Sequence, residues 1–229
     1  MILKGLQKLT LLDYPGEIAA TVFTGGCNFR CPFCHNASLV LPERFGETLP
    51  TEAFFAFLES RKGKLRAVCV SGGEPTMQGD LREFVARIKE MGFLVKLDTN
   101  GTRPDVLRGL IEDGLLDYVA MDIKNSRARY GETVGVKGFD ISPIDESINI
   151  LRKGKVPFEF RTTVVRELHS EEDFADIGEW LSGDEKFFLQ TFEDSGDTVC
   201  DGCSAHSSED MKKFLEILKK KVPNAALRG

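Results

Sequence analysis

The chain has 229 residues, 41% hydrophobic and 29% charged, with a formal net charge of −6 at pH 7. This length suits one domain with a substantial core, and the composition is that of a soluble globular protein. A net negative charge with no basic stripe argues against nucleic acid as a partner, because neutralising phosphates takes clustered cations. Lys219, Lys220 and Lys221 end a predicted helix, where cations suit the helix dipole. Met1–Gly5 does not open a secretory leader and no run of 18 apolar residues occurs, so the expectation is a cytoplasmic protein with no membrane partner. Six cysteines in that setting point to metal or redox chemistry rather than disulfides.

In chain order, short β-branched or aromatic runs predict strands at 18–24, 66–71, 93–98, 117–123, 156–164 and 186–191. They are mostly apolar on both faces, as buried parallel strands are. Helical periodicity fills the intervals at 51–60, 79–91, 104–113, 143–153 and 171–182, and again at 207–221 before Pro223. Leu81, Phe84, Val85, Ile88 and Met91 form one face of the second helix, and Met211, Phe214, Leu215 and Leu218 one face of the last. Ser170 followed by Asp173 reads as a helix cap.

Six strand-then-helix units predict a parallel α/β fold. A closed eight-unit barrel takes typically about 250 residues, so the expectation is an incomplete (β/α)6 TIM-like barrel, with a doubly wound sheet as the alternative. Residues 1–195 would form the barrel, and 196–229 a C-terminal C-x2-C segment and helix packed on the same domain. In either architecture the chemistry belongs at the carboxyl ends of the strands, and the polar motifs of this chain fall there.

The first of these predicted strands runs into Gly25-Gly26-Cys27-Asn28-Phe29-Arg30-Cys31-Pro32-Phe33-Cys34-His35-Asn36, a C-x3-C-x2-C spacing. The glycines and Pro32 make it a loop, and a loop can wrap three thiolates round one metal centre. With no fourth cysteine nearby, a [4Fe–4S] cluster held there has one iron open to a small molecule. Zinc held by Cys27, Cys31, Cys34 and His35 is an alternative, although adjacent residues 34 and 35 ligate one ion with difficulty. Three unrelated buried thiols are another.

This spacing after a first strand resembles the signature of the radical S-adenosylmethionine (SAM) superfamily, with Phe33 in the aromatic slot before the last cysteine. Cys31-Pro32-Phe33-Cys34-His35-Asn36, together with Leu12-Asp13-Tyr14-Pro15-Gly16, resembles the activases of glycyl radical enzymes, above all those of anaerobic ribonucleoside-triphosphate reductase. The resemblance runs from about residue 8 to 192. It implies that Cys27, Cys31 and Cys34 hold a [4Fe–4S] cluster, with Phe33, His35 and Asn36 beside the cofactor. It further implies reductive cleavage of SAM to a 5′-deoxyadenosyl radical that takes hydrogen from a glycine of a client enzyme. A low-potential donor such as flavodoxin or ferredoxin would supply the electron.

Ser71-Gly72-Gly73-Glu74-Pro75 follows the second predicted strand. Its glycines let a ligand approach the backbone, and Glu74 can accept from an ammonium; a plain tight turn is the other reading. The resemblance assigns Gly72, Gly73 and Glu74 to the aminoacyl end of SAM. Asp98-Thr99-Asn100-Gly101 ends the third strand and Asp122-Ile123-Lys124 the fourth, where an Asx turn and a surface salt bridge are the plainer readings. By resemblance Asp98, Thr99, Asp122, Ile123 and Lys124 bind the ribose and carboxylate of SAM, and the two aspartates also ligate a monovalent cation. Gln190 near the end of the sixth strand is a weaker SAM contact by the same resemblance, and Arg161 either faces an acidic cofactor group or closes an ion pair.

Cys69 reads as an inert buried thiol. Cys200-x2-Cys203 is half a metal site or a redox pair, with His206 near in sequence. Inserted ferredoxin-like cysteines are absent, which narrows the choice among activases, and a six-unit barrel leaves a side opening for a peptide loop. The alternatives are an activase of another glycyl radical enzyme, a radical SAM enzyme acting on a small molecule such as a deazapurine-forming synthase, and a zinc or iron–sulfur binding module without catalysis.

Overall fold

The computed structural model describes residues 1–194 and 196–228. Ser195, where the expected boundary between barrel and C-terminal segment falls, lies outside the described residues. The elements in chain order are β1 (Leu3–Thr10), β2 (Ala19–Thr24), α1 (Thr51–Ser60), β3 (Ala67–Gly72), α2 (Leu81–Glu90), β4 (Leu94–Thr99) and α3 (Pro104–Glu112). There follow β5 (Tyr118–Asp122), α4 (Ser142–Lys153), β6 (Phe158–Val164), α5 (Glu171–Trp180), β7 (Lys186–Thr191), α6 (Ser208–Lys219) and β8 (Ala225–Arg228). The six predicted strands and six predicted helices are present, with ends shifted by a residue or two. The periodicity did not reveal β1 and β8. The first alternates Lys, Gly and Gln with leucine and has an exposed middle, while the second has four residues.

The chain divides into two compact units, Met1–Asn28, Ser38–Ala120 and Pro143–Pro157 in the first and Phe29–Ala37, Met121–Ser142 and Phe158–Gly229 in the second. In the first, β1 is antiparallel to β2, while β2 with β3 and β3 with β4 run parallel, pairing Thr21 with Cys69 and Val68 with Val95. In the second, β6, β7 and β8 run parallel, pairing Thr162 with Leu189 and Leu189 with Leu227. Within each unit neighbours in the sheet are neighbours in the chain, unlike a doubly wound sheet, whose strand order reverses. The class is α/β with a predominantly parallel sheet.

Each unit has its own aromatic core. In the first, Phe54 of α1 stacks on Phe84 of α2 at 5.2 Å between ring centroids, and Ala67–Val70 of β3 are wholly buried. In the second, Phe174 of α5 stacks on Phe214 of α6 at 4.8 Å. The expected cap of α5 is a full capping box: Ser170 accepts from the Asp173 amide and Asp173 accepts from the Ser170 amide. Leu215 of α6, expected in the core, is half-buried beside the fully covered Met211, Phe214 and Leu218. Among the described residues no helix is long and apolar enough to cross a membrane.

The ends of β2 and β3 are joined backbone to backbone. The Gly73 amide donates to Thr24 O (2.9 Å) and the Glu74 amide to Gly26 O (2.8 Å). A Cβ on Gly73 would lie 2.7 Å from the Gly26 carbonyl carbon and closer still to its oxygen, and Gly72 adopts φ +120°. The close approach these glycines permit is therefore to the start of the cysteine loop. Gly73→Ala is expected to lower the unfolding free energy by about 3 kcal/mol, the cost of moving packed backbone. Gly79→Ala, where an added Cβ meets nothing within 4 Å, is the control, and equal urea midpoints for the two variants would refute the assignment.

Candidate functional site

In the first unit, Glu74 lies just past β3, fully buried, and burial pushes its carboxyl pKa up. Four donors counter this: Thr76 through its amide and hydroxyl, the Thr99 hydroxyl (2.8 Å) and the Asn100 amide (2.6 Å). A carboxylate so engaged ties the β3 turn to the end of β4. Asn100 in turn points its amide nitrogen at Cys27 Sγ (3.9 Å) and Asn28 Oδ1 (2.9 Å). Asp98 accepts from the Ser71 hydroxyl (2.9 Å) and pairs with the ammonium of Lys96. Lys96 also reaches Cys69 Sγ (3.8 Å), so Cys69 is buried but not among apolar neighbours alone.

The cysteine loop passes into the second unit at Phe29. There Phe29 and Phe33 are buried, and Phe29 packs edge-on to Phe139 at 5.4 Å. The Arg30 amide donates to Val134 O (2.9 Å) and the Cys34 amide to Cys31 O (3.1 Å), which fixes the turn carrying both thiols. Cys31 is buried, Cys34 and Asn36 are partly so, and His35 is exposed. Burial pushes the Cys34 thiol pKa up, while the Asn36 amide and the Lys124 ammonium pull it down.

Lys124 pairs with Asp122 (2.9 Å), and Arg161 from β6 reaches the other oxygen of the same carboxylate (2.9 Å). Burial works against the Lys124 ammonium, but Asp122 and the thiols of Cys31 and Cys34 outweigh it and hold the pKa above its ordinary value. Ile123 is fully buried and uses its backbone in the sheet, donating to Arg161 O (2.8 Å) and accepting from the Thr162 hydroxyl (2.6 Å). Gln190 is half-buried on β7, paired in register with Thr163.

The C-x2-C segment lies along the cysteine loop. Val199 donates to Cys34 O (3.1 Å), Cys200 to Pro32 O (3.0 Å) and Ala37 to Asp197 O (3.1 Å). Cys200 is exposed and Cys203 partly buried. Among the described residues no three Cys, His, Asp or Glu side chains are gathered as a single-ion site, so Cys200 and Cys203 gain no third ligand there. An iron–sulfur cubane is held differently, by thiolates on separate irons. The donors within each unit suit such ligation: in the first an amide is aimed at the sulfur of the partly buried Cys27, and in the second an ammonium acts on the buried Cys31 and the partly buried Cys34.

Sequence reasoning missed Lys96 and His169. A lysine inside an apolar strand was the available signal for the first. His169 left none, because its role is purely spatial: its Nε2 meets Lys124 O (2.9 Å), its Nδ1 accepts from the Val165 amide (3.1 Å), and its ring stacks on Phe174. Facing a carbonyl, Nε2 carries the proton of the neutral ring. Burial lowers the His169 pKa from the ordinary 6.5. The native state therefore resists a proton that the unfolded chain accepts, so this stabilisation is complete above pH 6.5 and is lost as pH falls below it. The stability gap between the wild type and His169→Phe is expected to shrink on acidification below that point by up to about 1.4 kcal/mol per pH unit. A gap constant from pH 7.5 to 5, measured by urea unfolding, would contradict the neutral buried ring.

The family model of the Radical SAM superfamily matches residues 21–181. A protein of Methanocaldococcus jannaschii, provisionally named a glycyl-radical enzyme activating enzyme, is 35% identical over 236 residues, which is 99% of this chain and 95% of that protein. A 7-carboxy-7-deazaguanine synthase of Methanopyrus kandleri is 33% identical over 131 residues, 48% of this chain and 51% of its own length. Among solved structures, a radical SAM methyltransferase from Sphaerobacter thermophilus superposes with a TM-score of 0.72 at 18% identity, covering 96% of this chain and 68% of that one. A family match over most of the chain, on a fold with the same architecture, leaves one assignment: the chain belongs to the radical SAM superfamily, whose members use a [4Fe–4S] cluster and SAM.

Proposed function

We propose that the protein is an activase that installs a glycyl radical on a client enzyme, and that the client is an anaerobic ribonucleoside-triphosphate reductase. The observation that carries the activase reading is near-complete coverage of a relative provisionally named a glycyl-radical enzyme activating enzyme, where the other named chemistries match about half to two thirds of the chain; the choice of client rests on the resemblance of Leu12–Gly16 and Cys31–Asn36 alone. Cys27, Cys31 and Cys34 would hold the cluster, and SAM would meet it at the strand ends. When bound, that pair supplies a 5′-deoxyadenosyl radical able to remove hydrogen from a glycine Cα.

The chain's own residues then bind and orient. Lys124 offers an ammonium to the SAM carboxylate while Asp122 and Arg161 hold it in place. Asp98, Thr99 and Ile123 would serve the ribose and carboxylate of SAM, Gln190 would be a further contact to it, and Phe33, His35 and Asn36 neighbour the last cysteine in the chain. Glu74 acts by holding Thr99 and Asn100. We place the enzyme in the cytoplasm, reduced by a flavodoxin or ferredoxin.

A second reading, deazapurine synthesis, rests on the Methanopyrus kandleri relative, which matches only half of the chain. Two experiments decide. Reconstituted anaerobically with iron and sulfide, then given dithionite and SAM, the protein is expected to release 5′-deoxyadenosine, and Cys31→Ala to lose its bound iron. Full iron content in that variant, or no 5′-deoxyadenosine from the wild type, sinks the radical reading. Mixed with a purified anaerobic reductase, the reduced protein should give the doublet of a glycyl radical by electron paramagnetic resonance; formation of 7-carboxy-7-deazaguanine without that doublet favours the synthase.

A further inference from the structure

We propose that the ammonium of Lys96 is a built-in counterion for Asp98 that takes the place of a dissociable monovalent cation. Lys96 sits in β4 between the buried Val95 and Leu97, and it is itself 1% exposed. Burying an ammonium costs several kcal/mol unless it is paired, so an apolar side chain of similar length would fill this place more cheaply. Its charge therefore serves a partner, and that partner is Asp98, whose Oδ1 receives the ammonium while Oδ2 accepts from the Ser71 hydroxyl (2.9 Å).

A sodium or potassium ion at Asp98 needs those oxygens and the negative charge they carry. Each oxygen already accepts one donor and, above all, the charge is balanced by a group that cannot diffuse away. Asp122, the other aspartate expected to ligate such an ion, is balanced in the same manner by Lys124 (2.9 Å) and Arg161 (2.9 Å). The residues present do not fit a monovalent cation. Lys96 is instead a positioning residue: it holds the Asp98 carboxylate in one orientation at the end of β4. A tethered cation also acts at an effective concentration that no change of medium alters.

The inference rests on the reading that SAM binds at these strand ends, and its test separates the two. SAM affinity of the cluster-loaded protein is measured by anaerobic equilibrium dialysis in potassium, sodium or tetramethylammonium chloride at equal ionic strength. The wild type is expected to vary by less than about twofold among the three, since only general screening remains. Lys96→Met is expected to bind SAM about tenfold more weakly in tetramethylammonium, where Asp98 has lost its partner, and to recover in part in potassium or sodium. Lys96→Arg is expected to stay close to the wild type. Thermal melting of the unloaded wild type in the same salts gives a readout independent of the cluster, and equal midpoints are expected.

A wild type whose SAM affinity or melting point depends on potassium or sodium overturns the inference while leaving the enzyme reading intact, and it does so even where Lys96→Met fails to fold. Unchanged affinity in Lys96→Met overturns the positioning role. Absence of SAM binding by the wild type in every salt refutes the enzyme reading as well.

Discussion

The first unit depends on main chain lying against main chain between Gly26 and Gly73. Two amides, Gly73 to Thr24 O and Glu74 to Gly26 O, cross this contact, and a third, Gly26 to Leu39 O (2.7 Å), holds its far side. No side chain fits between them. From this contact the constraint runs in a closed circuit. Gly26 fixes the Glu74 backbone, the Glu74 carboxylate fixes Thr99 and Asn100, and the Asn100 amide returns to Cys27 and Asn28, one and two residues beyond Gly26. Three strand ends are therefore aligned by contacts that each leave little freedom. Loss of any member leaves a buried polar group unpaired, which costs more than an ordinary hydrogen bond contributes.

Charge at the strand ends follows a second rule, which holds within each unit separately. Unlike Glu74, which neutral donors satisfy, the two aspartates here carry nearby cations: Lys96 with Asp98 on β4, and Lys124, two residues on, with Arg161 of β6 on Asp122 of β5. The i, i+2 spacing of Lys96 and Asp98 puts both on one face of the strand, as pleating dictates. Pairs of this kind add little net stability, because desolvation offsets most of their attraction. What they supply is orientation, and orientation is what a site for a charged ligand requires before the ligand arrives.

The sequence reveals the α/β class, the six inner strands and their helices because apolar runs and helical periodicity there are strong and uninterrupted. It hides β1 and β8, where Lys4, Gln7 and Lys8 of a partly exposed strand, or the mere four residues of the other, leave little pattern. Cysteine spacing and strand-end acids are legible as chemistry, and Asp122 with Lys124 forms the salt bridge that their spacing permits. The glycines of the Ser71–Pro75 turn are legible as a close approach, but the partner of that approach is Gly26, which only the folded chain discloses. Glu74, polar and adjacent to glycines, has the local signature of a ligand contact; only the folded chain shows that its carboxylate also joins the β3 turn to Thr99 and Asn100.

In the second unit the loop that carries Cys31 and Cys34 is held by other means than in the first. Arg30, Pro32, Cys34 and Ala37 are all fixed through backbone amides or carbonyls, to Val134, Cys200, Val199 and Asp197. Main-chain hydrogen bonds fix the loop's position without calling on its side chains, which is what the proposed cluster would require of it. Residues 197–200 supply a row of backbone partners to the loop, through the Asp197 carbonyl and the Val199 and Cys200 amides. At its far end the segment is anchored by Ser204, which accepts from the Arg166 amide (2.9 Å) and donates its own amide to Glu167 (2.9 Å). The C-terminal chain thus acts as a strap that fixes the shape of the turn carrying Cys31 and Cys34.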